Sequence, residues 1–225
     1  MAKSDMEFKS ELKTIYSNRF DAAEAYRNEV WKTLIAAHFQ SFVPANAAVL
    51  DLGCGYGQFI NNILCAGKFA MDLNPTAREK LNPDVTLLMQ DCAARWELPD
   101  SSLDLVFTSN FFEHLFTKAA LSHTIAEAAR CLKPGGRLIA LGPNIKFTGG
   151  AYWDFFDHHL ALTELSVREA FEMAGLEIES VIDRFLPYTM VNAPRYPPFF
   201  IRIYLAVPFI WKLLGKQFLV TAKKR

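Results

Sequence analysis

The sequence predicts an α/β fold, a three-layer sandwich in which a mostly parallel sheet lies between helices. Two observations lead to this prediction. Short apolar runs alternate with helical patterns along most of the 225 residues, and turn residues separate them. This alternation is typical of parallel strands that are joined by helical crossovers. In addition, 51% of the residues are hydrophobic and 21% are charged, which provides a full core and excludes a disordered or collagen-like chain.

The N-terminal region predicts helix, because apolar residues recur every three or four positions from Phe8 to Phe20 and from Val30 to Phe39. Pro44 ends this region, so we expect a helical lid over residues 1–44 and a core over residues 45–225. The predicted strands are 49–52, 68–72, 85–89, 103–108, 137–141, 177–183 and 217–222. Two of the predicted helices are 58–64, with Gly67 as its cap, and 118–132. A third is predicted to start at Asn74. A fourth begins at a capping box over 166–169 and ends at Gly175.

The net charge of zero hides an asymmetry between two parts of the chain. Residues 184–225 contain eight of the 24 basic residues and no acidic residue. The remaining 183 residues therefore contain 16 basic and 24 acidic residues, a net charge of −8. Nucleic-acid binding proteins need a broad basic face, so this acidic body argues against a nucleic-acid partner.

The four cysteines and the N-terminal residues predict a cytoplasmic location. Cys54, Cys65, Cys92 and Cys131 form no CxxC pair and show no zinc spacing, which favours buried reduced thiols. Charged residues between Lys3 and Lys13 interrupt any apolar run of signal-peptide length.

A glycine-rich segment, DLGCGYG at 51–57, lies between a predicted strand and a predicted helix. Glycines there permit positive φ angles and a close approach of a ligand to the backbone. The dinucleotide fingerprint GxGxxG would need a third glycine at position 58, which is Gln58. The spacing therefore counts against a nicotinamide dinucleotide.

Acidic residues follow three successive predicted strands in register with this loop. Asp51 precedes the first glycine, Asp72 ends the second strand, and Asp91 follows the third. A carboxylate at Asp72 can accept hydrogen bonds from both ribose hydroxyls of a nucleoside, and Asp91 could meet an adenine amino group.

These motifs resemble those of the class I S-adenosylmethionine-dependent methyltransferases. The resemblance covers about 49–179 and rests on DLGCGYG, MDLN at 71–74, QDCA at 90–93, SLDLVFTSNFFEH at 102–114 and LKPGG at 132–136. It implies a Rossmann-like, seven-stranded sheet whose last strand is antiparallel. It also implies S-adenosylmethionine as the cofactor and S-adenosylhomocysteine as the product.

The resemblance assigns cofactor contacts residue by residue. The loop would approach the methionine part of the cofactor, the MDLN segment its ribose and the QDCA segment its adenine, while Asn110 would lie beside the methionine. Two residues of the N-terminal helix resemble lid residues that close over the cofactor carboxylate. The cofactor-binding residues implied in this way are Tyr16, Arg19, Asp51, Gly53, Gly55, Gly57, Asp72, Leu73, Asp91, Cys92 and Asn110.

The region after the fifth predicted strand suggests the acceptor pocket. Residues 149–159 (GGAYWDFFDHH) combine aromatic side chains with two Asp and two His. We expect His158 or His159 to deprotonate an acceptor hydroxyl, with Asp154 or Asp157 orienting it. His114 is a rival base, and the alternative is that one His caps a turn while the aromatics belong to the core. We expect no metal ion, because neighbouring side chains of an extended stretch point apart.

Methyltransferases that modify base amines usually contain (D/N)PP(Y/F) after the fourth strand, and those acting on cytosine C5 use a Pro-Cys pair. The sequence contains neither pattern. Both absences agree with the acidic body, so a nucleic-acid acceptor is not expected.

The basic, aromatic segment at 194–214 allows three interpretations. Its longest uncharged stretch, 203–211, has nine residues and contains Pro208, so it is too short to span a membrane. The segment could lie in the lipid headgroup region on the inner face of the membrane, or it could cover an acceptor channel with Arg195 and Arg202 on a phosphate. The third interpretation is a helix packed on the sheet with its cations in water.

The sequence as a whole predicts a bacterial methyltransferase that O-methylates a small-molecule or lipid-linked glycan acceptor by in-line displacement. Two alternatives remain: a non-catalytic S-adenosylmethionine-binding partner protein, and a peripheral membrane adaptor. A monomer or a homodimer would agree with the composition.

Overall fold

The computed structural model describes residues 23–188 and 195–225. The strands are β1 Ala48–Leu52, β2 Gly67–Met71, β3 Val85–Leu88, β4 Leu103–Ser109, β5 Leu132–Pro143, β6 Leu176–Leu186 and β7 Gln217–Lys224. The α-helices are α1 Glu24–Ala37, α2 Gln58–Asn62, α3 Ala77–Lys80, α4 Lys118–Cys131, α5 Ile145–Thr148, α6 Glu164–Met173, α7 Pro198–Ala206 and α8 Pro208–Leu214. Short 3₁₀ turns cover Phe39–Phe42, Phe112–His114 and Gly149–Asp154.

The seven strands form one sheet in the order β3-β2-β1-β4-β5-β7-β6. β1 pairs in parallel with β2 and β4, and β4 pairs in parallel with β5. β7 is antiparallel to both of its neighbours, β5 and β6. This arrangement confirms the predicted seven-stranded sheet with an antiparallel last strand.

Strand alternation divides the core between the two faces of the sheet. Leu50 and Leu52 of β1 face α4 and α6, whereas Val49 belongs to the cluster on the other side with α1 and α2. Both clusters include fully buried side chains, so helices cover both faces, as the alternating pattern predicts.

The first helix of the described chain belongs to this core. Trp31 and Leu34 of α1 are buried, and the Trp31 ring lies against Phe59 and Phe107. Tyr16 and Arg19 lie outside the described residues, so their role in a lid stays a prediction.

The helix predictions need corrections at three of their ends. The helix that begins at Gln58 ends at Asn62, and Gly67 starts β2 instead of capping that helix. The next helix starts at Ala77, because the Asn74 side chain accepts a hydrogen bond from the Thr76 amide and forms a turn before it. The capping box of α6 begins at Thr163: its Oγ1 accepts from the Ser166 amide, and Ser166 Oγ accepts from the Thr163 amide.

We call the basic, aromatic segment 194–214 the insert; its described residues form α7 and α8 between β6 and β7. α7 packs against α1, and α8 packs against β6. Tyr204 of α7 donates a hydrogen bond to the Phe185 carbonyl (2.6 Å), which fastens the insert to the sheet. In the described part of the chain, no helix is both long enough and apolar enough to cross a membrane.

Candidate active site

The candidate site lies beyond the carboxyl ends of the central strands. The strand order reverses between β1 and β4, since β1 leads to β2 on one side and the chain later returns to β4 on the other. Ligands of open α/β sheets bind at such a reversal. The loops after β1, β2, β4 and β5 all end at this edge of the sheet.

The loop after β1 requires its glycines. Gly53, Gly55 and Gly57 have φ angles of 72°, 54° and 70°, in the left-handed region that disfavours side chains. A Cβ at Gly53 would lie 2.2 Å from Cγ of Phe111, so the ring after β4 packs directly on this backbone. The amides of Gly53 and Cys54 donate to the Met71 carbonyl and hold the loop at the end of β2.

Asp72 connects this loop to the turn after β2. Its Oδ2 accepts from the Gly55 amide (2.7 Å) and its Oδ1 from the Asn74 amide (2.8 Å). Burial raises the pKa of Asp72 against the effect of these hydrogen bonds. A carboxylate has about four acceptor sites, so this fixed group keeps capacity for a ribose hydroxyl. Leu73 lies between Asp72 and Asn74 in the same turn and is partly buried.

Asp51 lies beneath the loop and is buried. Burial raises its pKa to about 8, the amide of Ile60 lowers it, and the charge of Asp72 raises it further. The carboxyl of Asp51 is therefore mostly protonated at neutral pH, and it can support the loop without adding a second buried charge next to Asp72.

Asp91 and Cys92 follow β3, and they differ in exposure. Asp91 is exposed, and its Oδ1 accepts from the Ala93 amide (2.9 Å). Cys92 is buried: its carbonyl accepts from the Trp96 indole, its Sγ accepts from Thr124, and burial raises its thiol pKa to about 11. The backbone of this turn is thereby fixed beside the sheet edge.

Asn110 begins the loop after β4 in a strained conformation. Its φ angle is 50°, which is uncommon outside glycine, although asparagine tolerates it better than most residues. Its amide donates to the Leu141 carbonyl (2.8 Å) at the end of β5. With this φ angle the backbone turns sharply at Asn110 and continues into the segment Phe111–His114.

The loops after β4 and β5 bring four titratable residues together. His114 Nδ1 lies 3.2 Å from Asp157 Oδ2 and 3.0 Å from the Asp157 carbonyl oxygen. The His114 and His158 rings are in edge contact, with centroids 4.9 Å apart. Glu113 is buried, and its carbonyl accepts from the amides of His159 (2.8 Å) and Leu160 (3.1 Å). We call Glu113, His114, Asp157 and His158 the Glu–His cluster.

Burial and neighbouring charges shift the pKa values of Glu113 and His114 in the Glu–His cluster. Burial raises the pKa of Glu113 to about 7, although the neighbouring His114 lowers it. Burial lowers the pKa of His114, but the hydrogen bond to Asp157 and the charges of Glu113 and Asp157 outweigh it, so the net shift is upward.

The predicted acceptor residues are divided between the interior and the surface. His158 is buried among Tyr152, Phe155 and His114. His159 is exposed beside Phe116, and Asp154 is also exposed. The structure thus brings His114, His158 and Asp157 together and leaves the other two outside the cluster.

Sequence reasoning named Glu113 only as part of a family motif and gave no role to Asn144. Asn144, buried at the end of β5, donates to Glu164 Oε2 (2.6 Å) and to the Asp183 carbonyl, which fixes the start of the loop containing 149–159. The available signal for Asn144 was a polar residue directly after a buried strand, whereas Glu113 lies four residues after the end of β4.

A family model described as a methyltransferase domain matches residues 50–140, which include the glycine loop, Asp72, Asp91 and the Glu113–His114 pair. Residues 50–140 of the chain thus resemble a methyltransferase domain. The cofactor of this family is S-adenosylmethionine, and the three glycines of the loop and the fixed Asp72 carboxylate suit it.

Two curated relatives resemble part of the chain. It is 34% identical over 120 residues to a probable S-adenosylmethionine-dependent methyltransferase of Mycobacterium tuberculosis, covering 50% of the chain and 42% of the relative. It is 30% identical over 128 residues to the malonyl-[acyl-carrier protein] O-methyltransferase of Methylococcus capsulatus, covering 53% and 45%. The matches thus span less than half the length of each of these relatives.

The chain also resembles solved structures over nearly its whole length. A SAM-dependent methyltransferase from Archaeoglobus fulgidus superposes with a TM-score of 0.67, covering 90% of this chain and 97% of that one. At 18% sequence identity, this likeness shows the fold alone.

Proposed function

We propose that the chain is an enzyme that transfers a methyl group from S-adenosylmethionine to a hydroxyl oxygen of a small, lipid-linked acceptor. The observation that carries the proposal is the position of the Glu–His cluster beside the cofactor loop. Both lie at the carboxyl edge of the sheet, and Phe111 of the cluster's own loop packs on Gly53. The Glu–His cluster, which we propose activates the acceptor, thus lies next to the glycine loop, which we propose holds the cofactor.

The chemistry explains why a buried polar cluster is useful here. Bound S-adenosylmethionine supplies an electrophilic methyl carbon, which bonds to the acceptor oxygen as its bond to sulfur breaks. The acceptor hydroxyl must lose its proton, and the residues of the Glu–His cluster are suited to promote that loss. Tyr152 and Phe155 pack around His158, so this histidine is buried.

The relative from Methylococcus capsulatus is named for the methylation of an oxygen on a carrier-bound acyl group. This name supports the proposal that an oxygen atom receives the methyl group and that the acceptor molecule is attached to a larger carrier.

The insert supports a lipid as the carrier. Its outer face exposes large apolar side chains, with 65% of Phe199 and 69% of Phe209 accessible. We call this face the insert surface: Tyr196, Phe199, Phe200, Ile203, Val207, Phe209, Leu213 and Leu214. Contiguous exposed apolar groups on short helices favour a contact with a membrane surface or a hydrophobic partner.

The charges around the insert surface favour an anionic lipid layer. Arg202, Lys212 and Lys216 are exposed, and no ion pair involves them within residues 23–188 and 195–225. Each basic residue close to an anionic membrane contributes about 1 kcal/mol of binding free energy. By contrast, Arg184 donates to the carbonyls of Gly215 and Leu213 and serves the fold.

Calorimetry with S-adenosylhomocysteine tests the cofactor part. Asp72→Asn removes a charged acceptor, and hydrogen bonds to charged groups are worth about 1.5–3 kcal/mol, so we expect the Kd to rise roughly 10- to 150-fold. Asp84→Asn, which changes an exposed carboxylate that pairs with Lys68, is the matched control and should leave the Kd unchanged. Absence of binding by the unmodified protein would refute the proposal.

Transfer of labelled methyl into an extract of source cells, followed by organic–aqueous partition, tests the acceptor. Label in the organic phase that is stable to base supports an ether on a lipid-linked acceptor. Label confined to the aqueous phase would refute the lipid-linked part, and label released by mild base would indicate a methyl ester instead of an ether.

Co-sedimentation with phosphatidylserine vesicles tests the insert surface. Phe199→Ser with Phe200→Ser should weaken binding at least 10-fold, because each buried aromatic side chain contributes about 1.5–3 kcal/mol. Met173→Ser is the control, since Met173 is 80% exposed on α6, outside the insert. Equal sedimentation of the two variants would contradict the role of the insert.

A further inference from the structure

We propose that Glu113, His114 and His158 bind one divalent cation of the zinc or manganese class, which holds and acidifies the acceptor hydroxyl. This inference rests on the proposed methyl transfer to oxygen and specifies how the hydroxyl is activated. The three residues come from the loops after β4 and β5, which the tertiary fold alone brings together.

The geometry of the three side chains suits a shared ion. Each offers one ligand atom, and these atoms all lie within 4.8 Å of one another. Ligand atoms held at about 2.0–2.2 Å from one ion lie about 3–4 Å apart, so a small closing movement of the side chains would complete the site. Glu113 is 2% exposed and His158 8%, so two of the three ligands lie in the interior.

Asp157 orients the imidazole of His114 for binding the cation. The two atoms near Nδ1, Asp157 Oδ2 and the Asp157 carbonyl oxygen, are both acceptors, so Nδ1 carries the hydrogen. The lone pair of the imidazole therefore lies on Nε2, where it can ligate a cation. A carboxylate that holds the second nitrogen of a metal-binding histidine is a recurrent arrangement and increases the basicity of the ligand.

The ligand set indicates the kind of ion and its use. Two imidazoles and one carboxylate suit zinc, manganese or iron(II), whereas magnesium and calcium prefer oxygen ligands. Three protein ligands leave coordination positions open, as in catalytic sites.

The open positions would serve acceptor binding. An acceptor hydroxyl bound there loses its proton more easily, since a divalent cation stabilises the oxyanion. The O–H bond breaks, its electron pair stays on the oxygen, and the proton leaves to water. The location suits this use, because Phe111, in the same loop as Glu113 and His114, packs on the backbone at Gly53.

The sequence did not suggest this site, because the four candidates in 154–159 are neighbours whose side chains point apart. The structure confirms that Asp154 and His159 lie on the surface, away from the buried His158. The cluster forms only because Glu113 and His114 approach from a different loop.

Titration of the chelator-treated protein with Co²⁺, Zn²⁺ or Mn²⁺ tests the proposal. We expect one equivalent of Co²⁺ to bind with a visible absorption band, and Zn²⁺ to displace it. Glu113→Gln and His158→Ala, which each remove one ligand, should lower the affinity at least 100-fold. Asp157→Asn, which changes the positioning carboxylate, should lower it about 10–100-fold.

His123→Ala is the matched control, because His123 is exposed on α4 and lies outside both loops. Its metal affinity should equal that of the unmodified protein. Binding of S-adenosylhomocysteine by each variant establishes that the variant is folded.

The result that overturns the proposal is a protein that binds S-adenosylhomocysteine but takes up no ion, or one in which Glu113→Gln and His158→Ala bind the ion as tightly as the unmodified protein does. Methyl transfer that persists at an unchanged rate after chelation would also overturn it, while leaving the proposed function intact. Metal uptake without any methyl transfer to oxygen would instead count against the proposed function.

Discussion

Substitution of Gly53 by alanine tests the packing of the cofactor loop. The φ angle of 72° disfavours any side chain, and a new Cβ would lie 2.2 Å, 2.3 Å and 2.7 Å from Cγ, Cδ2 and Cβ of Phe111. Because both effects act at once, the loop or the aromatic ring must move.

The two contributions can be estimated separately. A left-handed conformation costs an L residue about 1–2 kcal/mol, and overpacking of a well-packed region costs about 1–3 kcal/mol. We therefore expect Gly53→Ala to lower the free energy of unfolding by about 2–5 kcal/mol. Gly135→Ala isolates the first contribution, since Gly135 has a φ of 78° and no atom within 4 Å of the added Cβ.

Urea unfolding of both variants measures the difference, and entropy changes of the unfolded chain largely cancel between two Gly→Ala substitutions. Phe111→Ala removes the two ring atoms and leaves only the contact at 2.7 Å, so it should recover part of the loss in a double-mutant cycle. A loss for Gly53→Ala no greater than that for Gly135→Ala would refute the packing argument.

Two further predictions concern stability. Burial raises the pKa of Asp51 from 3.8 to about 8, so the folded state keeps a proton that the unfolded chain releases. The stability that this group contributes is therefore lost as the pH rises from about 4 to about 8, and above that pH no more is lost. Urea unfolding at several pH values should give a slope up to about 1.4 kcal/mol per pH unit steeper than in Asp51→Asn; parallel curves would contradict the assignment. Thr163→Ala should cost about 1 kcal/mol, seen as a Tm lower by roughly 2–4 °C, whereas Thr163→Ser retains the cap; equal Tm values for the two would exclude Thr163 as the N-cap.

Local signals in the sequence were sufficient for the sheet and the cofactor loop. β1 is a short, mostly apolar run that leads directly into a glycine-rich turn, and such a run specifies a buried strand and its turn without distant contacts. Asp72 and Asp91 were identifiable because Asp72 directly follows β2 and Asp91 lies three residues after β3, and parallel strands end at the same edge of a sheet.

Helix ends were less predictable because several residues compete to cap them. Ser166 has the chemistry of an N-cap, but Thr163 occupies that position and Ser166 serves as its partner three residues later. Which hydroxyl caps the helix depends on where the preceding loop joins it, and the sequence of the helix alone does not specify that.

The sequence by itself determined the alternating elements, the glycines of the loop and the acidic strand ends, because each depends on backbone conformation or on residues close along the chain. Only the tertiary structure decided that His114 pairs with Asp157, 43 residues later, and that His158 is buried while His159 is exposed. These facts depend on how two separate loops pack on each other, and side chains distant in sequence leave no local pattern that reports their contact.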